Sequence, residues 1–210
     1  MNTRRQLRDA RRLRSRRIRA LLAGGLVLGV GAAATLAAWN DSEFGSGSFT
    51  AGTFNIVGAT DGATFSQHPT SPGATLSFAL PTTAGAMTPG DKVYALFSVK
   101  TVTPSMAGTV QLKAASGNAS GLGAQLTYTV RTVSTTNGCT AANWASIPVT
   151  TGLPSGAALT VGATSTQVLN KDGGNQINYC FEFVMNVGAP TTVQGTSQTA
   201  TWELAATSTP

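Results

Sequence analysis

From Ile177 to Val187 every second residue is apolar: Ile177, Tyr179, Phe181, Phe183, Met185 and Val187. Asn178, Glu182 and Asn186 fall between them. A helix would scatter these side chains around its axis, whereas an extended strand puts them all on one face. The same alternation recurs in Val93, Ala95, Phe97 and Val99, in Val110, Leu112 and Ala114, in Leu126, Tyr128 and Val130, and in Ala200, Trp202 and Leu204. Turn signals separate these runs: Thr60-Asp61-Gly62, Pro89-Gly90-Asp91, Thr136-Asn137-Gly138, Pro154-Ser155-Gly156 and Asp172-Gly173-Gly174. Beyond residue 38 the chain is rich in Thr, Ser, Gly, Ala and Val and has no sustained 3.6-residue period, a composition that starves helices and suits short strands. The expectation is an all-β fold, an antiparallel β-sandwich of jelly-roll or immunoglobulin-like topology. It would occupy residues 58–206, preceded by an N-terminal segment 39–57 and followed by a frayed tail 207–210.

The start of the chain has a different character. Nine arginines fill Arg4 to Arg19, and an apolar run rich in alanine and glycine follows from Ala20 to Ala38. A basic region, an apolar region and a small-residue exit form an export signal, so residues 1–38 are expected to be a helical signal peptide that is removed. A retained membrane anchor is the rival reading, because nineteen apolar residues just span a bilayer; the glycines and alanines make the run only modestly hydrophobic and favour removal. Ser15-Arg16-Arg17 has a twin arginine, but Ile18-Arg19-Ala20 lacks the apolar continuation of a twin-arginine signal. Two cleavage points stay open. A cut between Ala38 and Trp39 leaves Leu36 at the third position back, and a cut after Ala34 has Ala32 there.

Charge follows this division. Residues 1–38 carry nine arginines and one acid, a net of +8, and the remaining 172 carry five basic and seven acidic residues, a net of −2; together these give the overall +6. The basic balance therefore belongs to the leader, and a nucleic-acid partner is not expected. Membrane contact is expected only through an uncleaved leader.

Two cysteines, Cys139 and Cys180, suit an oxidising exterior and are expected to form a disulfide. Cys180 alternates with Tyr179 and Phe181 and so belongs to the polar face of its strand. Cys139 follows Asn137-Gly138 in a turn-rich stretch. The bridge should then clamp the 134–145 loop rather than pin two sheets through the core, with Trp144 packed beneath it.

The stretch Leu36–Phe54, LAAWNDSEFGSGSFTAGTF, resembles the processing region of the TasA/camelysin family of secreted bacterial proteins, whose signal peptides are SipW-dependent. The matching residues are Ala37-Ala38, Trp39, Asn40-Asp41 and Gly47-Ser48-Phe49-Thr50-Ala51-Gly52-Thr53-Phe54. Thr88-Pro89-Gly90-Asp91-Lys92-Val93, with Met87 near the usual leucine, resembles the family's Pro-Gly-Asp turn. The arginine-rich leader looks like that of the high-GC Gram-positive, actinobacterial branch. The resemblance implies cleavage after Ala38, with a signal peptidase as transient partner, and a secreted or cell-surface matrix protein. It also implies fibres in which an N-terminal segment of one subunit pairs with strands of the next. In this chain Phe49, Ala51, Phe54 and Ile56 would carry that contact, with Gly52 at a slip in the alternation and Gly45-Ser46-Gly47 as a hinge. The plainer reading makes this stretch the first strand of its own domain.

Catalysis is not expected. Some members of the family are described as metallopeptidases, yet a zinc peptidase needs spaced histidines, and the only histidine is His68, followed by Pro69. The same scarcity weighs against a serine triad, and no G-x-S-x-G elbow precedes a helix. The chain lacks a C-x-x-C pair. No cofactor is expected. Asp41, Glu43 and Asp61 offer hard oxygen ligands for calcium, but solvated turn acids are the simpler assignment. Asn118-Ala119-Ser120 matches a glycosylation sequon and is taken as chance. The expected function is an exported, non-catalytic structural protein of the cell surface or biofilm matrix, associating with itself or with cell-wall components. The alternative is a monomeric adhesion or ligand-binding module.

Overall fold

The computed structural model describes residues 4–35, 42–48, 50–78 and 86–209. The chain divides into two compact units, Met1–Phe49 and Thr50–Pro210. Among its described residues the first contains one α-helix, Arg4–Thr35. Arginine, leucine and alanine all favour helix. Its described apolar side chains lie open to solvent, with Leu21 76% and Leu28 76% exposed. Among the described residues no helix is long and apolar enough to cross a membrane.

Among its described residues the second unit has eight strands: β1 Ile56–Ala59, β2 Lys92–Thr101, β3 Gly108–Ala114, β4 Leu126–Val133, β5 Ala157–Ala158, β6 Gln167–Leu169, β7 Ile177–Met185 and β8 Trp202–Ser208. They form a five-stranded sheet ordered β1-β2-β7-β4-β5 and a three-stranded sheet ordered β6-β3-β8. Every pairing is antiparallel. This is an all-β sandwich. A jelly roll, numbered along its chain, has sheets β1-β8-β3-β6 and β2-β7-β4-β5. The present order departs from it at one point: β1 pairs with β2 instead of β8.

Register explains the core. Phe181 stands opposite Ala95 on one side and Val130 on the other; Phe183 likewise stands between Val93 and Tyr128. Leu112 is opposite Leu204, and Val110 opposite Ala206, in the other sheet. The period-two sets read from sequence therefore meet face to face. Val93, Val99, Val110, Leu112, Tyr128, Val130, Tyr179, Phe181 and Phe183 are all buried in one cluster. Each fully buried large side chain contributes about 1.5–3 kcal/mol. Phe181 and Phe183 lie nearly parallel at 5.9 Å, and Trp202 caps Phe183 at 5.2 Å.

The structure corrects three expectations. Val187 is 82% exposed, because β7 ends at Met185 and the chain turns at Asn186. The tail does not fray at residue 207: Thr207 and Ser208 pair with Thr109 and Gly108 in β8. The polar face of β7 is not solvated. Asn178 is 5% and Glu182 6% exposed, because the 134–148 loop folds over that side of the sheet. The sequon asparagine, Asn118, is 2% exposed. Its Nδ2 donates to the carbonyls of Leu159 and Thr201, and its Oδ1 accepts from the Thr201 N–H, so it serves as a structural pin.

Candidate assembly surface

Ordered pairing begins at Ile56, where Ile56 to Ala59 align with Thr101 to Ser98. Just before it the chain is bound without forming a ladder. Val102 N–H donates to the Asn55 carbonyl and Met106 N–H to the Thr53 carbonyl. Asn55 N–H donates to Ser105 Oγ at 3.1 Å, and Thr53 Oγ1 donates to the Pro104 carbonyl at 3.2 Å. The half-buried Phe54 ring covers Gly108 at the start of β3. Ile56 packs against the main core, while Ala51 is exposed. Upstream, residues 42–48 have no regular secondary structure, and Phe44 is 96% exposed. Of the four proposed contact residues, then, Phe54 and Ile56 lie against their own domain and Ala51 does not. Phe49 lies outside the described residues, as do Asp41 and the cleavage pair Ala38 and Trp39.

The departure from jelly-roll order leaves β8 at the margin of its sheet. Ala115 N–H donates to the Thr201 carbonyl, and Thr209 N–H donates to the Ala107 carbonyl. These two bonds bracket the β3–β8 ladder and set its parity. Odd-numbered residues of β8 turn their backbone groups toward β3; Trp202, Leu204, Ala206 and Ser208 turn theirs outward. Among the described residues no strand pairs with that edge. Beside it opens a groove of about 1140 Å³, lined by Ile56, Phe97, Phe181, Phe183, Trp202 and Leu204 among others. Phe78 reaches into it and meets Phe183 edge-to-face at 5.4 Å. An unpaired edge beside an apolar groove is a template for an added strand. Sequence reasoning missed it because the β8 residues alternate like any other strand.

On the far side of the five-stranded sheet, Cys139 and Cys180 are joined. Cys180 is fully buried beside Trp144 and Ile147. The expected bridge is present, and it ties a loop to the outer face of the sheet, away from the inter-sheet core. Trp144 lies beneath that loop, 5.5 Å from the Tyr94 ring. The Arg131 guanidinium stacks on Trp144 at 4.4 Å, while its Nη1 donates to the carbonyls of Trp144 and Ile147 at 2.9 and 2.7 Å. Tyr94 Oη donates to Glu182 Oε1 at 2.9 Å, and Lys92 Nζ lies 3.5 Å from the same oxygen. Burial, with the neighbouring Glu182 carboxylate, pushes the Tyr94 phenol up to about 12. The disulfide marks an oxidising, extracytoplasmic environment.

The remaining candidates are local. Asp61 Oδ1 accepts from the N–H groups of Ala63 and Thr64, and this hydrogen bonding to Thr64 and Ala63 lowers its carboxyl to about 2. It closes a turn. His68 Nε2 meets Ser66 Oγ at 3.1 Å on an exposed loop. Among the described residues no group of three or more His, Cys, Asp and Glu side chains is placed to hold a metal. No protein-family model matches the chain, and no curated protein matches it.

Proposed function

We propose that this chain is an exported, non-catalytic structural protein of the cell surface or extracellular matrix, and that it self-associates when the N-terminal segment of one copy adds to the β8 edge of another. The observation that carries this reading is the β8 edge, unpaired among the described residues and beside an apolar groove, in the same chain as a segment without regular secondary structure that carries an exposed Phe44. Two further features support it: the disulfide agrees with life outside the cytoplasm, and the leader has the form of an export signal. Because donor and acceptor are different surfaces, the contact is heterologous, and heterologous contacts propagate into filaments unless they close into rings.

The test is Ala206→Pro in the chain from Trp39 to Pro210. Proline there deletes an outward N–H and leaves the β3 ladder untouched. Light scattering coupled to size exclusion should show concentration-dependent oligomers for the parent and monomers for the variant. A parent that stays monomeric at high concentration, or a variant that assembles equally well, would count against the reading.

A further inference from the structure

The disulfide-clamped loop forms one wall of a second cleft, of about 590 Å³, a size common among small-ligand sites. It lies at the end of the sandwich where β4 finishes and β7 begins, well apart in sequence from the β8 edge. Val133, Ile147, Pro148 and Ile177 give it an apolar patch, and apart from Gly138 amides and hydroxyls supply the rest of the lining. No lining residue is charged or a histidine.

The polar groups fall into two sets. Asn178 is committed: its Oδ1 accepts from Ser98 Oγ at 2.7 Å and Gln176 Nε2 at 2.6 Å, and its Nδ2 donates to the Val133 carbonyl at 3.2 Å. Gln176 Nε2 also donates to the Gly62 carbonyl, which fixes the amide and leaves its Oε1 unused. By contrast, the side chains of Gln167, Asn143 and Ser134 make no hydrogen bond to any described residue. A rigid wall thus presents uncommitted donors and acceptors beside an apolar patch. The loop is held by the Cys139–Cys180 bridge and by Arg131, so little ordering remains to be done when a ligand arrives.

We infer that this cleft binds a neutral saccharide. Sugar hydroxyls both donate and accept, matching unpaired amides and hydroxyls, while the C–H faces of the ring match Val133, Ile147 and Ile177. The absence of charge in the lining disfavours acidic polysaccharides and phosphorylated ligands, which select cationic partners. An extended peptide would want a long unpaired strand edge; β6, the edge strand that brings Gln167 to the cleft, is only three residues long, and Asn175 Nδ2 already donates to its Val168 carbonyl. The site does not depend on self-assembly, so each can fail alone.

The experiment titrates the chain from Trp39 to Pro210 with cellohexaose, maltohexaose and tetra-N-acetylchitotetraose by calorimetry, with polygalacturonate as the anionic counterpart. At least one neutral oligosaccharide should saturate the protein, with Kd between about 10 μM and 1 mM. Gln167→Ala and Asn143→Ala should each weaken it about threefold to tenfold without moving Tm, and Ala206→Pro should leave it unchanged. Three results would overturn the inference: saturation by no neutral oligosaccharide, equal binding of polygalacturonate, or undiminished affinity in the Gln167→Ala/Asn143→Ala double variant.

Discussion

The Phe54 ring lies so close over Gly108 that a Cβ on the glycine would stand 2.6 Å from Phe54 Cε2, with the Thr207 carbonyl oxygen also in its way. One missing methyl thus lets the N-terminal segment rest on β3 while β3 keeps its ladder with β8.

Gly108→Ala should therefore disturb two elements together. The flexible ring can shift, but the Thr207 carbonyl is held by the sheet, so overpacking should cost about 1–3 kcal/mol. Thermal unfolding should shift down, and amide exchange at Met106 and Val102, which bond the segment before β1, should quicken. An unchanged Tm would show that the contact is slack.

Removing the disulfide should matter more. The bridged residues are separated by 41 positions, and the chain-entropy argument assigns such a loop about 4 kcal/mol. Cys139→Ser/Cys180→Ser should lose roughly that much in urea unfolding, and Trp144 emission should move to longer wavelength as the loop lifts. A loss under about 1 kcal/mol would mean that Arg131 and the loop's own packing hold it unaided.

Asn118→Ala should behave as a core mutation although it replaces a polar residue. It leaves the Leu159 and Thr201 carbonyls and the Thr201 N–H without this partner. Such orphaned groups cost about 1–3 kcal/mol. A surface-like effect, below about 0.5 kcal/mol, would contradict its burial.

The three tyrosines make the alkaline limit testable. Burial raises Tyr128 to about 12 and Tyr179 beyond it, and burial with the Glu182 carboxylate raises Tyr94 to about 12. Each folded-state pKa exceeds the ordinary value near 10, so the folded chain holds these protons longer than the unfolded chain does. Stability should be unaffected by them below about pH 10 and should fall as pH rises from there toward 12. In absorbance at 295 nm the native protein should show almost no phenolate at about pH 10.5, while the urea-unfolded chain titrates near 10. A native phenolate with its midpoint near 10 would refute the burial of that tyrosine.

Much of this fold was legible beforehand because its signal is local. The alternation from Ile177 to Met185 needs no partner to define an apolar face, and the sets at Val93–Val99, Val110–Leu112 and Leu126–Val130 fill the core as their spacing requires. The disulfide was legible because a chain with only two cysteines and a leader of export-signal form has few alternatives. The burial of Asn178 and Glu182 was not legible, since polar residues at alternate positions normally mark a solvated face. Here a loop covers them, and Ser98, Gln176 and Tyr94 satisfy their hydrogen-bonding groups. Nor was the cleft at Gln167 and Asn143, whose residues come from separate strands and loops and carry no spacing motif.

By itself the sequence determined which side chains face inward, where the turns fall and which sulfurs join, because each depends on residue type and local period. Only the tertiary structure decided that β1 pairs with β2 rather than β8, that the 134–148 loop closes over the outer face of the five-stranded sheet, and that the outward edge of β8 has no partner strand among the described residues. Strand partners are chosen through backbone N–H and C=O groups that every residue shares, so the choice falls to whichever edge the connections bring within reach.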